Sequence, residues 1–179
     1  MNLNNSDNTN SPDSPDFVPW YFRSLDFEQL WRDYPPPPTY FHTTAKLSRD
    51  EMRALQEQRF LKTVTRGWEI EFFKRHWTEH GLVPTDIRTL DDLTKIPVYD
   101  VNDIRKSIER NPPFGDFMGI SPESGKHMPL VLQTSGGTTG LPRPMLYSPQ
   151  DRETMAILGG RRMAMHGIRP GDMVLVTLS

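Results

Sequence analysis

Residues 135–140 read SGGTTG, six consecutive small residues set between the apolar run LVLQT and the stretch RPMLYS. This segment constrains the fold more than any other. It has almost nothing to bury, so it cannot sit inside a core helix or strand, while both neighbours are short and β-prone. A loop joining two strands satisfies both conditions. Upstream of Pro129 the apolar spacing is helical, and downstream it becomes strand-like. The pattern therefore predicts an α/β chain, with a helical N-terminal region leading into the first strands of a sheet.

The helical signal is strongest over residues 48–80. Ser48 is a candidate N-cap with Glu51 three residues on, the spacing of a capping box. Met52, Leu55, Leu61 and Val64 follow a period near 3.6, Gly67 is the expected break, and Gly81 stands where a C′ glycine would. Two shorter capped helices follow, with Thr89 and Asp100 as N-caps and Pro97 and Pro112 as stops. Beyond RPMLYS, Ser148 and Pro149 open a helix that runs to about His166. MVLVTLS, residues 173–179, reads as a further strand. A sheet whose last strand falls at the final residue is expected to continue elsewhere, so the chain is read as the front piece of a larger protein.

The N-terminal residues divide in two. Residues 1–16 have the composition of a disordered tail, rich in Asn, Ser, Asp and Pro. Residues 17–46 form an arm crowded with aromatics around YPPPPTYF, whose four prolines favour an extended polyproline II rod. That rod is expected to lie across its own domain through Tyr34, Tyr40 and Phe41. The alternative is an interaction module in which Pro35, Pro36, Pro37 and Pro38 present themselves to a proline-reading partner.

Glycine, serine and threonine beside a strand can wrap an anion with backbone N–H groups and hydroxyls, and glycine lets a phosphate approach closely. Arg143 adds a permanently charged fork just past the loop. Two familiar phosphate loops do not fit. A Walker loop needs Gly-Lys-Ser/Thr at its end, whereas Gly140 is followed by Leu141 and Pro142. A dinucleotide fingerprint needs a helix opening inside the loop, whereas a proline and another strand follow.

A third pattern matches at every position. Leu132, the core Ser135, Gly136 and Gly137, the hydroxyls Thr138 and Thr139, then Gly140, Leu141, Pro142 and Arg143 resemble the AMP-binding signature of adenylate-forming enzymes. The commonest version carries serine where this chain has Gly136, and lysine where it has Arg143. LSRDEMRALQEQRFLKTV, then HGLVPTDIRTLDDLTKIPVYDVNDIRK, and later GIRPGDMVLV, are similar to the N-terminal region of phenylacetate–CoA ligases. The similarity covers residues 47–179. It implies the N-terminal part of the adenylation domain, truncated, that is, the first strands of the large domain of such enzymes.

The resemblance further implies activation of a carboxylic acid, aryl or arylacetic, by ATP, followed by thioester formation with coenzyme A. Mg²⁺ would assist. Ser135, Gly136, Gly137, Thr138, Thr139 and Gly140 would cradle phosphate, with Arg143 as anchor. The family's Mg²⁺-binding glutamate, ribose contact and C-terminal lysine would lie beyond Ser179, so residues 1–179 alone are expected to be inactive.

Composition narrows the rest. Lys and Arg number 21 against 23 Asp and Glu, a net charge of −2, so no basic excess points to nucleic acid. No stretch approaches the roughly 20 apolar residues of a membrane span. The absence of cysteine removes disulfides, thiolate zinc sites and a thiol nucleophile. A cytoplasmic address, a small-molecule acid as partner, and self-association through an open sheet edge are the expectations. HWTEH keeps one further alternative open, a zinc hydrolase in which His76 and His80, one helical turn apart, bind metal beside Glu79. Gly81 ends that helix at once, and the sequence offers no identifiable third ligand.

Overall fold

The computed structural model describes residues 17–135, 142–175 and 177. Seven helices and one hairpin follow in chain order among them: α1 Trp20–Arg23, α2 Phe27–Asp33, α3 Pro37–His42, α4 Arg49–Glu69, α5 Glu71–Glu79, α6 Val101–Arg110, β1 Val131–Ser135, β2 Arg143–Tyr147 and α7 Pro149–Met165. Short 3₁₀ turns fill several connections, among them Leu90–Lys95, which starts at Thr89. The result is a mostly helical chain that leads into a two-stranded antiparallel sheet.

The long helix α4 begins as its sequence dictates. The Ser48 hydroxyl accepts from the Glu51 amide at 3.3 Å, and the Glu51 carboxylate accepts from the Ser48 amide at 2.8 Å. Both orphan donors are thereby satisfied. The expected break at Gly67 is not there. α4 runs through it to Glu69, and the chain turns at Ile70, whose backbone is extended (φ −94°, ψ 120°). Gly67 is small for a different reason: a Cβ would lie 2.3 Å from Cη2 of Trp77 on α5. The missing side chain is the seat for an indole.

Around that seat lies the core, where Val64, Trp77, Leu82 and Ile87 are buried and Phe60, Leu61, Trp68, Phe73 and Ile96 pack on them. Trp68 meets Trp77 edge-on at 5.1 Å. Gly81 closes α5 at φ +78°, and the Leu82 amide returns to the Trp77 carbonyl at 2.9 Å. Asp100 caps α6 by accepting from the amides of Asn102 and Asp103. The helix buries Ile104 and Ser107.

The proline run departs from the expected rod. Pro36 is extended at φ −65°, ψ 166°, but Pro37 already opens α3. Proline suits the first helical turn because its missing N–H would have no partner there anyway. The arm lies along α7. Arg161 Nε donates to the Pro35 carbonyl at 2.8 Å, and its guanidinium sits 4.2 Å from the Tyr40 ring centre. The Tyr21 hydroxyl donates to Glu153 at 2.7 Å.

In the hairpin Val131 faces Tyr147, Leu132 faces Leu146, and the register continues to Ser135 opposite Arg143. Ser148 then caps α7 through a capping box with Asp151, and Pro149 takes N1. The strand expected over 173–179 is not formed among the described residues. Met173 and Leu175 lie in open coil, almost fully exposed. A strand exists only against a neighbour, and among the described residues none is hydrogen-bonded to this segment. No helix among the described residues is long and apolar enough to cross a membrane.

Candidate phosphate-binding hairpin

The hairpin brings the two ends of the glycine-rich stretch together. Ser135 closes β1 and Arg143 opens β2, and the Arg143 amide donates to the Ser135 hydroxyl at 3.3 Å. Ser135 and Arg143 thus stand opposite each other at the loop end of the sheet. Gly136, Gly137, Thr138, Thr139 and Gly140, the remaining candidate residues, lie outside the described residues.

Arg143 also borders a groove of about 610 Å³, whose other walls include Phe73, Tyr99, Phe117, Met118 and Met145. Its lining is aromatic and sulfur-rich, with Gln150, Asp151 and Thr154 as polar members. A cation at the edge of an apolar trough can hold the charged end of a ligand while the trough takes its carbon skeleton.

The loop beneath the hairpin is pinned by a polar knot. Arg75 reaches both carboxylate oxygens of Asp116, at 2.7 and 3.2 Å. The Ser107 hydroxyl donates to the same carboxylate at 2.6 Å and accepts from the Asp116 amide at 3.0 Å. Burial pushes the Asp116 carboxyl upward, but the hydrogen bonds from Arg75 and Ser107 outweigh it, and the group lies below its ordinary value. Gly115 turns at φ +74°, with the Ser107 oxygen 2.7 Å from where a Cβ would stand. Three residues on from Gly115, the Met118 sulfur accepts from the Leu146 amide of β2 at 3.1 Å. Helices α5 and α6 are in this way tied to the strand that carries Arg143.

Sequence reasoning did not find this knot. Its members are up to 41 residues apart, and no motif joins an Arg, a Ser and an Asp at that spacing. The one local signal was the glycine-flanked turn FGDFMG.

The HWTEH histidines are engaged elsewhere. His76 is buried, its Nε2 lies 3.0 Å from the Val98 carbonyl, and its ring stacks on Phe72. A carbonyl only accepts, so Nε2 carries hydrogen and offers no lone pair to a metal. His80 Nδ1 in turn lies 2.7 Å from the His76 carbonyl. Among the described residues no three His, Cys, Asp or Glu side chains gather as a metal would require.

No protein-family model matches the chain. Curated relatives do. The phenylacetate–coenzyme A ligase of Aromatoleum evansii is 32% identical over 140 residues, 78% of this chain and 30% of that protein. The enzyme of the same name from Thermus thermophilus is 34% identical over 129 residues, 72% of this chain and 27% of its own length. That from Escherichia coli is 32% identical over 130 residues. Among solved structures, 2-hydroxyisobutyryl-CoA ligase with 2-HIB-AMP and CoA in the thioesterification state superposes with a TM-score of 0.62 at 29% identity, covering 70% of this chain and 26% of that one. An open conformation of the same ligase gives 0.62 at 26% identity. The chain spans about 30% of the length of the curated relatives it matches.

Proposed function

From the premise that this chain is a phenylacetate–CoA ligase-like relative of the adenylate-forming enzymes, we propose that it supplies the ATP-phosphate clamp of an AMP-forming acid–thiol ligase. The reaction has two steps. A carboxylate oxygen attacks the α-phosphorus of ATP and expels pyrophosphate, leaving an acyl-adenylate. The thiol of coenzyme A then attacks the acyl carbon and expels AMP.

The first step moves negative charge onto the departing phosphates, so donors already aimed at them lower its barrier. In this reading Ser135 and Thr138 and Thr139 offer hydroxyls, Gly136, Gly137 and Gly140 offer unobstructed backbone N–H groups, and Arg143 holds the anion electrostatically. The observation that carries the reading is the register that sets Ser135 opposite Arg143, so that the loop between them spans a hydroxyl and a cation. Mg²⁺ would neutralise phosphate charge in such a reaction. Among the described residues no cluster of acidic side chains fits it.

The acid is proposed to be aryl or arylacetic. Two features support this: the phenylacetate named in the curated relatives and the aromatic walls of the groove beside Arg143. A reaction fed by ATP and coenzyme A carries a cytoplasmic setting with it. Residues 1–179 by themselves should bind ATP weakly and form no adenylate.

The test is pyrophosphate release over a panel of carboxylic acids, phenylacetate, benzoate and 2-hydroxyisobutyrate among them. It should be run on the 179-residue chain and on the full product of the reading frame that encodes it. Release by the full product that depends on one class of acid is expected. ADP and phosphate as products would overturn the ligase reading, and a short-chain hydroxy acid as best substrate would overturn the aryl assignment.

A further inference from the structure

The ligase reading makes no use of a second concentration of positive charge. A groove of about 550 Å³ runs between the end of α2 and the exposed face of α4. Its lining includes Arg32, Arg59, Lys62 and Arg66, against the single carboxylate of Asp33. Residues 59, 62 and 66 fall on one helical face by their spacing. Several of these cations have undemanding partners. Arg59 donates to the Asp33 backbone carbonyl and lies 5.5 Å from the Tyr34 ring centre. Arg32 reaches the Gln29 amide oxygen at 3.4 Å. The Asp33 carboxylate is occupied by the Gln29 amide at 2.8 Å. Among the described residues only Arg66 of these cations has a full ion pair, with Glu69 at 2.7 Å.

Behind this groove stands Arg161, only 9% exposed. Its Nε bonds the carbonyl of Pro35, the residue next to the groove-lining Tyr34. Its Nη2 is buried and has no hydrogen-bond partner among the described residues. Burial and then the nearby charge of Arg59 hold its affinity for a proton below the ordinary arginine value, with Tyr40 and Tyr34 acting the other way. Arginine does not give up its proton in proteins, so this charge stays. A fixed cation behind a wall, with more cations in front, projects positive potential into the groove between them.

We propose that this groove is a binding site for a small phosphate-bearing anion. A phosphate group accepts hydrogen bonds in several directions at once and suits guanidinium forks arriving from α2 and α4 together. The volume is that of a small-molecule site, too small for a polymer to lie along. The site shares Tyr34 with the groove beside Arg143 but none of its cations, and it does not rest on the ligase reading.

Calorimetric titration of the 179-residue chain tests it, with inorganic pyrophosphate as free phosphate and adenosine 3′,5′-bisphosphate as phosphate carried on a nucleoside. Saturable binding of at least one probe is expected, weakening steeply with salt, and the tighter probe identifies the source. Lys62→Gln and Arg59→Gln should each weaken it about tenfold or more, and Arg161→Met should weaken it several-fold. Lys46→Gln, at another exposed lysine, should not. Should Arg161→Met fail to fold, Lys62→Gln decides alone, because Lys62 is exposed and its loss leaves the core intact. Binding by neither probe, or unchanged affinity in Lys62→Gln, would overturn the proposal.

Discussion

Gly67 shows how much a single missing methyl can carry. On helix propensity alone, Gly67→Ala should stabilise α4 by up to about 1 kcal/mol. The Trp77 ring 2.3 Å from the new Cβ decides otherwise. Overpacking a filled core costs about 1–3 kcal/mol, so the variant should be less stable in urea. Greater stability would show that the indole moves aside freely. This role was not legible in the sequence, because it depends on a contact made only after α5 folds back at Ile70.

Asp116 invites a pH test. Its folded value is depressed, so its contribution is fully present above the unfolded value of about 3.9 and is lost as pH falls through the folded value. Asp116→Asn should therefore cost most near neutrality, about 2 kcal/mol for weakening a largely buried ionic knot. The gap from the wild type should shrink below about pH 4. A gap constant from pH 7 to pH 3 would contradict the ionic account.

For the hairpin, Arg143→Ala and Gly137→Val should fold normally and slow ATP–pyrophosphate exchange on the order of 10²-fold in the full product. Wild-type exchange in both would remove the clamp assignment.

Elements with local causes were the legible ones. Ser48, Asp100 and Ser148 each cap the helix their sequence announced, because a cap needs only the residues within one turn. Ser148→Ala should destabilise by about 1 kcal/mol in urea, as the Asp151 amide loses its acceptor. No loss would mean that Pro149 alone sets the start of α7. The hairpin was legible for a similar reason, since two β-prone runs flank a loop that cannot be buried.

Elements with distant causes were misread. Residues 173–175 have a strand's composition and no strand to pair with among those described. Four prolines in a row suggested a rod, yet Pro37 starts α3. Proline fixes φ but leaves the choice between extended and helical ψ to its surroundings, and here Arg161 and Tyr40 hold the arm against α7.

At the scale of the molecule, a helical front half delivers a two-stranded hairpin whose loop end sets Ser135 opposite Arg143. The Arg75–Asp116–Ser107 knot ties α5 and α6 to the loop whose Met118 sulfur accepts from the Leu146 amide of β2. The family resemblance was readable because its signature is contiguous, running from Leu132 to Arg143. The knot and the basic groove were hidden because their residues meet only in three dimensions.

The most direct measurement follows the oxygen. The accepted acid, labelled with ¹⁸O in its carboxyl group, is turned over by the full product with ATP and coenzyme A, and the products are weighed by mass spectrometry. Attack of the carboxylate on the α-phosphorus leaves one labelled oxygen on AMP when the thiol displaces it. Label in AMP, with unlabelled pyrophosphate, is the predicted result. Label in inorganic phosphate, with ADP as the nucleotide product, would contradict the account.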